Sequence, residues 1–340
     1  MFQKKKKALR AFEVTLLIAA WAMPLAATAE LKIKHFALNR GRLAFTYMDG
    51  AVHDIYVLDF AKLTIEPLYA SKAIDEYPSF SPDGKKVAFY SDASGDREIY
   101  VIDSNGTNLV QLTNSAGADE DPDWSPNGEQ IIFQSARLGK DTANLFVMNA
   151  DGTKPEAITR LKEKKNTVPR WSPRGNEILY STTLYWPGWD IMLYDVATKK
   201  SKLLTNGWQS FCRASWRHDG SMFAFSYGSG KNVNLWIQDK GEKPYELTTL
   251  PGREYDAVWS DDGKRLFFVA ESREDAGDFQ IYMLELATKN ITQITEGDGA
   301  IRYLSWTSLP VPPVAPVTPK EPTTPNEQQP RDAQGEPTKS

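Results

Sequence analysis

The sequence predicts an all-β fold: a six-bladed β-propeller of four-stranded antiparallel blades, closed by the C-terminal strand completing the N-terminal blade. Three observations predict it. The first is a recurring turn: Phe80-Ser81-Pro82-Asp83-Gly84 returns as Trp124-Ser125-Pro126-Asn127-Gly128, Trp171-Ser172-Pro173-Arg174-Gly175, Trp216-Arg217-His218-Asp219-Gly220 and Trp259-Ser260-Asp261-Asp262-Gly263. A sixth copy opens at Trp306-Thr307-Ser308, so the aromatic residues stand 44, 47, 45, 43 and 47 residues apart. A period of this length fits a propeller or a helical solenoid. The second observation decides between them: the runs after each turn are short, rich in β-branched and aromatic residues, and bounded by Gly, Asp, Asn and Pro. The third is a missing piece. Residues 42–69 supply the second, third and fourth strands of a blade, and its opening strand is found at the other end, in Arg302-Tyr303-Leu304-Ser305-Trp306. Pairing the two ends removes two exposed strand edges.

Taken in order, the chain starts with a segment outside the fold. Lys4 to Lys7 and Arg10 precede a short apolar run, Val14 to Ala22, and Ala27-Thr28-Ala29 offers a small-residue cleavage site before Glu30. This is the pattern of a secretory signal peptide over residues 1–29. The apolar run is shorter than the roughly 20 residues a membrane helix needs. The alternative is an uncleaved anchor in the inner membrane; either version places the propeller on the side away from the lysines.

Residues 30–308 then form the propeller. In blade after blade a run such as Val87-Ala88-Phe89-Tyr90 is followed by a variable loop and a second run such as Ile99-Tyr100-Val101-Ile102-Asp103. A short last strand such as Leu109-Val110-Gln111-Leu112-Thr113 completes the unit, and four such strands make a blade. The large residues at 80, 124, 171, 216, 259 and 306 are expected to pack between neighbouring blades, each ring worth about 1.5–3 kcal/mol when buried. The Asp/Asn-Gly pairs are expected to turn with φ > 0 at glycine. Beyond the propeller, residues 309–340 hold nine of the 21 prolines among Thr, Glu, Gln and Lys, a composition expected to be a disordered or polyproline II tail.

Charge and cysteine content exclude some functions. Residues 1–29 contain five of the 40 Lys/Arg and one of the 44 Asp/Glu, which leaves the remainder at a net charge of −8. That argues against nucleic acid as a partner, since phosphate binding relies on a basic surface. The single cysteine, Cys212, cannot form an intramolecular disulfide, so the core of a monomer must hold the fold.

The stretch Tyr77-Pro78-Ser79-Phe80-Ser81-Pro82-Asp83-Gly84-Lys85-Lys86-Val87-Ala88-Phe89, continuing to Asp96-Arg97-Glu98-Ile99-Tyr100-Val101-Ile102-Asp103 and Leu112-Thr113, resembles the TolB-type propeller repeat. The resemblance covers roughly residues 36–307. It implies a six-bladed propeller in the periplasm, working in the cell envelope. TolB itself carries an α/β domain before its propeller, whereas only a handful of residues here separate the cleavage site from the first strand. The same repeat occurs in propellers joined to peptidases and in some polysaccharide lyases, so fold alone does not assign function.

In this architecture the turns after first and third strands share one face, and they are tight. The loops after second and fourth strands share the other face, and they are longer and more varied, as binding loops are. Two candidate sites fall there. One is aromatic: Tyr185, Trp186 and Trp189 between two strands of one blade, with Trp208 in the loop leaving it; such residues anchor protein partners or stack on a sugar. The other is acidic: Asp75, Glu76, Asp119, Glu120, Asp121, Glu254, Asp256, Glu296 and Asp298 precede or open first strands. These acids are expected to rim one mouth of the central channel, with Arg213 neutralising part of it, and to hold Ca²⁺ or attract a basic partner. No Gly-x-Ser-x-Gly elbow occurs, His35, His53 and His218 stand isolated, and no spacing resembles a zinc site. The reading is therefore an exported, non-catalytic module that docks an envelope protein on its loop-rich face. A glycan-binding propeller is the alternative, and a polysaccharide-degrading enzyme the third.

Overall fold

A computed structural model describes residues 31–34, 38–139, 141–185, 188–205, 210–239, 241–271 and 277–309. Residues 1–29, expected to be a signal peptide, lie outside them, as do His35, Trp186, Trp208 and the residues from Pro310 onward. Six four-stranded antiparallel sheets account for almost all of the described chain, and each runs from an inner strand to an outer one. Blades 2 to 6 are continuous in sequence, with inner strands Asp75–Phe80, Asp119–Trp124, Asn166–Trp171, Ser210–Trp216 and Glu254–Trp259. Blade 1 takes Ala300–Thr307 as its inner strand, and Arg42–Asp49, Val52–Asp59 and Thr64–Tyr69 complete it. The expected closure is therefore present, with Leu43 opposite Trp306 and Tyr47 opposite Ile301. No helix of the described residues is long and apolar enough to cross a membrane.

The blades are held by apolar layers between them. One layer joins Ile55, Val57 and Leu68 of blade 1 to Phe80, Phe89 and Tyr100 of blade 2. Another joins Phe45 and Leu58 of blade 1 to Phe267 and Ile281 of blade 6, so the ring closes through its core as well as through its sheet. The tryptophans contribute more than area. The indole N–H groups of Trp124, Trp216 and Trp259 donate to the carbonyls of Ser79, Arg170 and Ser215 on the preceding inner strand, at 3.1, 3.3 and 3.0 Å. A buried indole N–H needs such a partner, and the repeat supplies it from the neighbouring blade.

Two repeat residues act on the backbone. In the turns, glycine adopts φ of 61–75° at Gly84, Gly128, Gly175, Gly220 and Gly263, as expected. In blades 2 to 6 a threonine after the outer strand accepts the N–H that opens the third strand: Thr113 from Ile99, Thr159 from Leu145, Thr205 from Ile191, Thr248 from Leu235 and Thr295 from Ile281. Each accepts a buried backbone donor, which needs a partner; the Leu235 N–H also reaches Glu254.

The closure has a second clasp. Lys32–Ile33 pairs with Thr295–Glu296, Lys34 N donates to Ile294 O at 2.8 Å, and Leu31 and Ile33 pack on the layer between blades 6 and 1. Trp306, whose N–H donates to Asp261 at 3.0 Å, stacks on Phe267 and lies over Gly41. A Cβ at Gly41 would stand 2.1 Å from the Trp306 ring, and its φ of +99° disfavours any side chain. Gly41→Ala is expected to cost about 1–3 kcal/mol, the range for an overpacked core site. Urea unfolding of the variant checks it, with Gly50→Ala, where nothing stands within 4 Å of the new Cβ, as the control.

Candidate functional site

The inner strands carry a feature that the repeat pattern did not announce. In all six, pairing with the second strand slips by one residue, a β-bulge. A residue at the bulge sits there in a left-handed conformation: Tyr77, Asp121, Val168, Arg213, Asp256 and Tyr303, with φ of 50–58°. For the β-branched Val168 this is a true outlier. Bulges re-aim side chains, and repeated six times around an axis they turn one ring of residues into the channel at mid-height.

That ring fills the waist. Asp256 takes Arg213 Nη1 at 2.5 Å and Arg302 Nε at 2.7 Å, and accepts the Tyr303 N–H at 3.1 Å. The two guanidiniums hold its carboxyl well below the usual carboxylate range against the opposing effect of burial. Arg213 and Arg302 both lie over the ring of Tyr303, at 5.1 and 5.2 Å, and Tyr303 stacks on Tyr77 at 3.6 Å. Opposite, Asp121 is buried and accepts the Val168 N–H at 3.2 Å. Burial, with Glu120 beside it, pushes its pKa up to about 7.

Below the waist, on the face of the tight turns, the channel widens into a funnel of about 210 Å³. The last residues of the inner strands line it, among them Ser79, Arg170, Ser215, Trp171 and Trp306, with Pro173, His218 and Asp261 from the turns. The cavity thus opens on the face opposite to the one that loop length favoured.

The predicted acids do not form one open rim, because successive residues of a strand point in different directions. Asp75, Asp119 and Glu254 are buried and tie entering loops to their blades. Ser71 Oγ donates to Asp75 at 2.8 Å, Arg137 Nη2 to Asp119 at 2.6 Å, and the Thr248 hydroxyl and Leu250 N–H to Glu254. Burial raises Asp75 to about 6 and Glu254 to about 7. Glu76 and Glu120 face neighbouring strands: Glu76 takes His53 and Tyr90, and Glu120 takes Arg97 and Gln134. Asp121 and Asp256 belong to the waist. Glu296 pairs with Lys34 at 3.2 Å, and Asp298 offers its carbonyl to Tyr47. Arg213 does neutralise an acid: it pairs with Asp256. Asp75 Oδ1 and Asp119 Oδ1 are buried without a hydrogen-bond partner, and among the described residues no group of three or more His, Cys, Asp or Glu could hold a metal ion.

His53 is not isolated as its sequence surroundings implied. It stands in blade 1 with Nδ1 2.7 Å from Glu76 Oε1 of blade 2, a pair hidden by 23 residues of separation. Cys212 is half-buried and free, and burial pushes its thiol up. Of the aromatic candidates, Tyr185 stands exposed on the loop face beside Leu184, at 44% and 36% accessible, and Trp189 is half-buried.

Residues 33–211 match the model of the TolB beta propeller domain. The chain belongs to this family. Among curated protein sequences nothing matches. In structure this TolB-like propeller is similar to TolB from Acinetobacter baumannii, at 20% identity and a TM-score of 0.67, over 78% of this chain and 66% of that one. It spans just under two thirds of that protein. A protein from Agrobacterium tumefaciens described as a TolB gives 16% identity and a TM-score of 0.62, over 77% of this chain and 91% of the other. An oligogalacturonate lyase in complex with manganese gives 19% and 0.50, over 77% and 73%. At these identities the likeness is one of fold, shared by binding proteins and enzymes alike.

Proposed function

We propose that the protein is an exported, periplasmic propeller that acts by binding, and that it docks an envelope protein on its loop face. The observation that carries this is the adjacent exposure of Leu184 and Tyr185 on the loop between the second and third strands of blade 4. Trp186 comes directly after them, and Trp208 lies in the segment leaving the same blade. An apolar and aromatic group of this kind anchors protein partners. Export rests on the basic and apolar pattern of residues 1–29 and on TolB-family membership. Binding without turnover is supported by the channel waist, where Arg213 and Arg302 are both paired with Asp256.

Immobilised residues 30–340 are expected to retain one envelope protein from detergent-solubilised membranes, and Tyr185→Ala/Trp186→Ala/Trp208→Ala is expected to lose it while unfolding at an unchanged temperature. Equal retention by both forms would remove the loop-face patch as the site. Recovery of wall polysaccharide in place of protein would favour the glycan-binding alternative.

A further inference from the structure

The loop entering blade 4 differs from its counterparts. Arg160, Lys162, Lys164 and Lys165 make four of its residues 160–165 basic. The segments before the first strands of the other blades hold one basic residue at most: Lys72 before blade 2, Arg253 before blade 6, and none in 114–118, 206–209 or 297–299. This concentration stands in a chain whose residues 30–340 carry a net charge of −8.

The strip lies on the loop face, and its backbone is held between two other loops. Leu161 N donates to Asn144 Oδ1 at 2.7 Å, and its carbonyl accepts from Asn144 Nδ2 at 3.1 Å. The Lys164 carbonyl accepts the Ala143 N–H at 3.2 Å. Lys165 N donates to the Thr183 hydroxyl at 3.0 Å, and its carbonyl accepts the Thr183 N–H at 2.9 Å. The backbone is committed, whereas the charged ends are not. Arg160, Lys162 and Lys165 are exposed and Lys164 is half-buried; among the described residues none of the four makes an ion pair. The acids of these loops are Asp141 and Glu163, both exposed, so the basic side is in excess. Apolar side chains flank the strip, with Leu138 exposed on the blade 3 loop and Leu184 and Tyr185 on the blade 4 loop. None of these residues lines the funnel or the waist, so the patch is separate from the channel.

We infer that residues 160–165, with Leu138, Leu184 and Tyr185, form a peripheral docking surface for an anionic lipid bilayer. The basic side chains meet phosphate headgroups, and the leucines and tyrosine enter the interface. Lys and Arg beside an anionic membrane each add to binding, and tyrosine is favoured at headgroup level. Three of the four cations are lysines, point charges on flexible stems, which suit a diffuse array of anions better than one fixed carboxylate. A solvated basic loop requires no exposed leucine or tyrosine on either side of it. The inference goes beyond protein docking by adding a lipid to the same face, and it is read with lipid alone.

Sedimentation with vesicles tests this on residues 30–340, which keep every described residue and lack the basic and apolar segment 1–29. Binding is expected to vesicles of phosphatidylethanolamine and phosphatidylglycerol at about 3:1 and not to phosphatidylcholine alone. It is expected to be lost in about 0.5 M NaCl, which screens the contact. Lys162→Glu/Lys164→Glu/Lys165→Glu is expected to bind at least about 100-fold more weakly, from roughly fivefold per lysine, while unfolding at an unchanged temperature. Leu138→Ser, which leaves the charge alone, is expected to weaken binding about threefold or more. Equal binding to anionic and neutral vesicles, no binding to either, or undiminished binding by the triple variant would overturn the inference. So would tighter binding to poly-L-glutamate than to the anionic vesicles, which would assign the strip to an acidic protein. Capture of an envelope protein, read separately with the tyrosine and tryptophan variant, stands or falls without this result.

Discussion

Asp256→Asn is expected to lower the unfolding free energy by about 3–5 kcal/mol, the usual cost of removing one partner from a buried ion pair. Asparagine keeps the shape and one acceptor, so the loss isolates charge. Arg213 and Arg302 would be left with the rings of Tyr255, Tyr303 and Phe279 in place of their carboxylate. Cation–π contact offsets about 0.5–2 kcal/mol per arginine, too little to replace the carboxylate. Urea unfolding of the two proteins measures the difference. A loss below about 1 kcal/mol would mean that the triad is solvated and that the waist is not closed.

Stability is expected to fall as pH rises from 5 to 8. Asp75, Asp121 and Glu254 have folded pKa values raised to about 6, 7 and 7. Between the unfolded carboxylate range and these values the folded chain holds protons that the unfolded chain releases. Their contribution is complete below about pH 4 and is lost as pH rises through 6–7. Asp121 alone, raised from 3.8 to about 7, supplies up to about 4 kcal/mol at ~1.4 kcal/mol per unit. Asp256 works in the opposite sense, but its lowered pKa confines its loss to strong acid. Thermal unfolding across this range is the measurement, and Asp121→Asn is expected to flatten the slope. A stability that is level or rises between pH 5 and 8 would contradict the buried placement of these acids.

The fold was legible because each blade repeats the same local chemistry. The aromatic residue, the Ser-Pro-Asp-Gly turn and the Leu-Thr ending each serve one physical task, and each returns in register. Closure was legible from residues 42–69, which lack an inner strand that 300–307 supplies. The site was less so. Asp119, Glu120 and Asp121 look like one acidic cluster in the sequence, yet strand alternation and the bulge send them to an arginine in the blade, an arginine and a glutamine beside it, and the channel waist. The bulge has no residue signature: Tyr, Asp, Val, Arg, Asp and Tyr occupy it, so the ring imposes it rather than the side chain. The His53–Glu76 pair joins different blades, and no local pattern announces such a contact. Threonine after the outer strand of blades 2 to 6 stands in the sequence, but its role as an acceptor for the third strand required the blade's geometry.

Hydrogen exchange of residues 30–340, alone and loaded with the captured envelope protein, tests docking on the loop face most directly. Slowed exchange is expected in 183–189 and 204–211, around blade 4, with the turns at 82–84, 126–128 and 261–263 unchanged. Protection confined to those turns, with blade 4 unaffected, would place the partner on the funnel face and contradict the proposed docking.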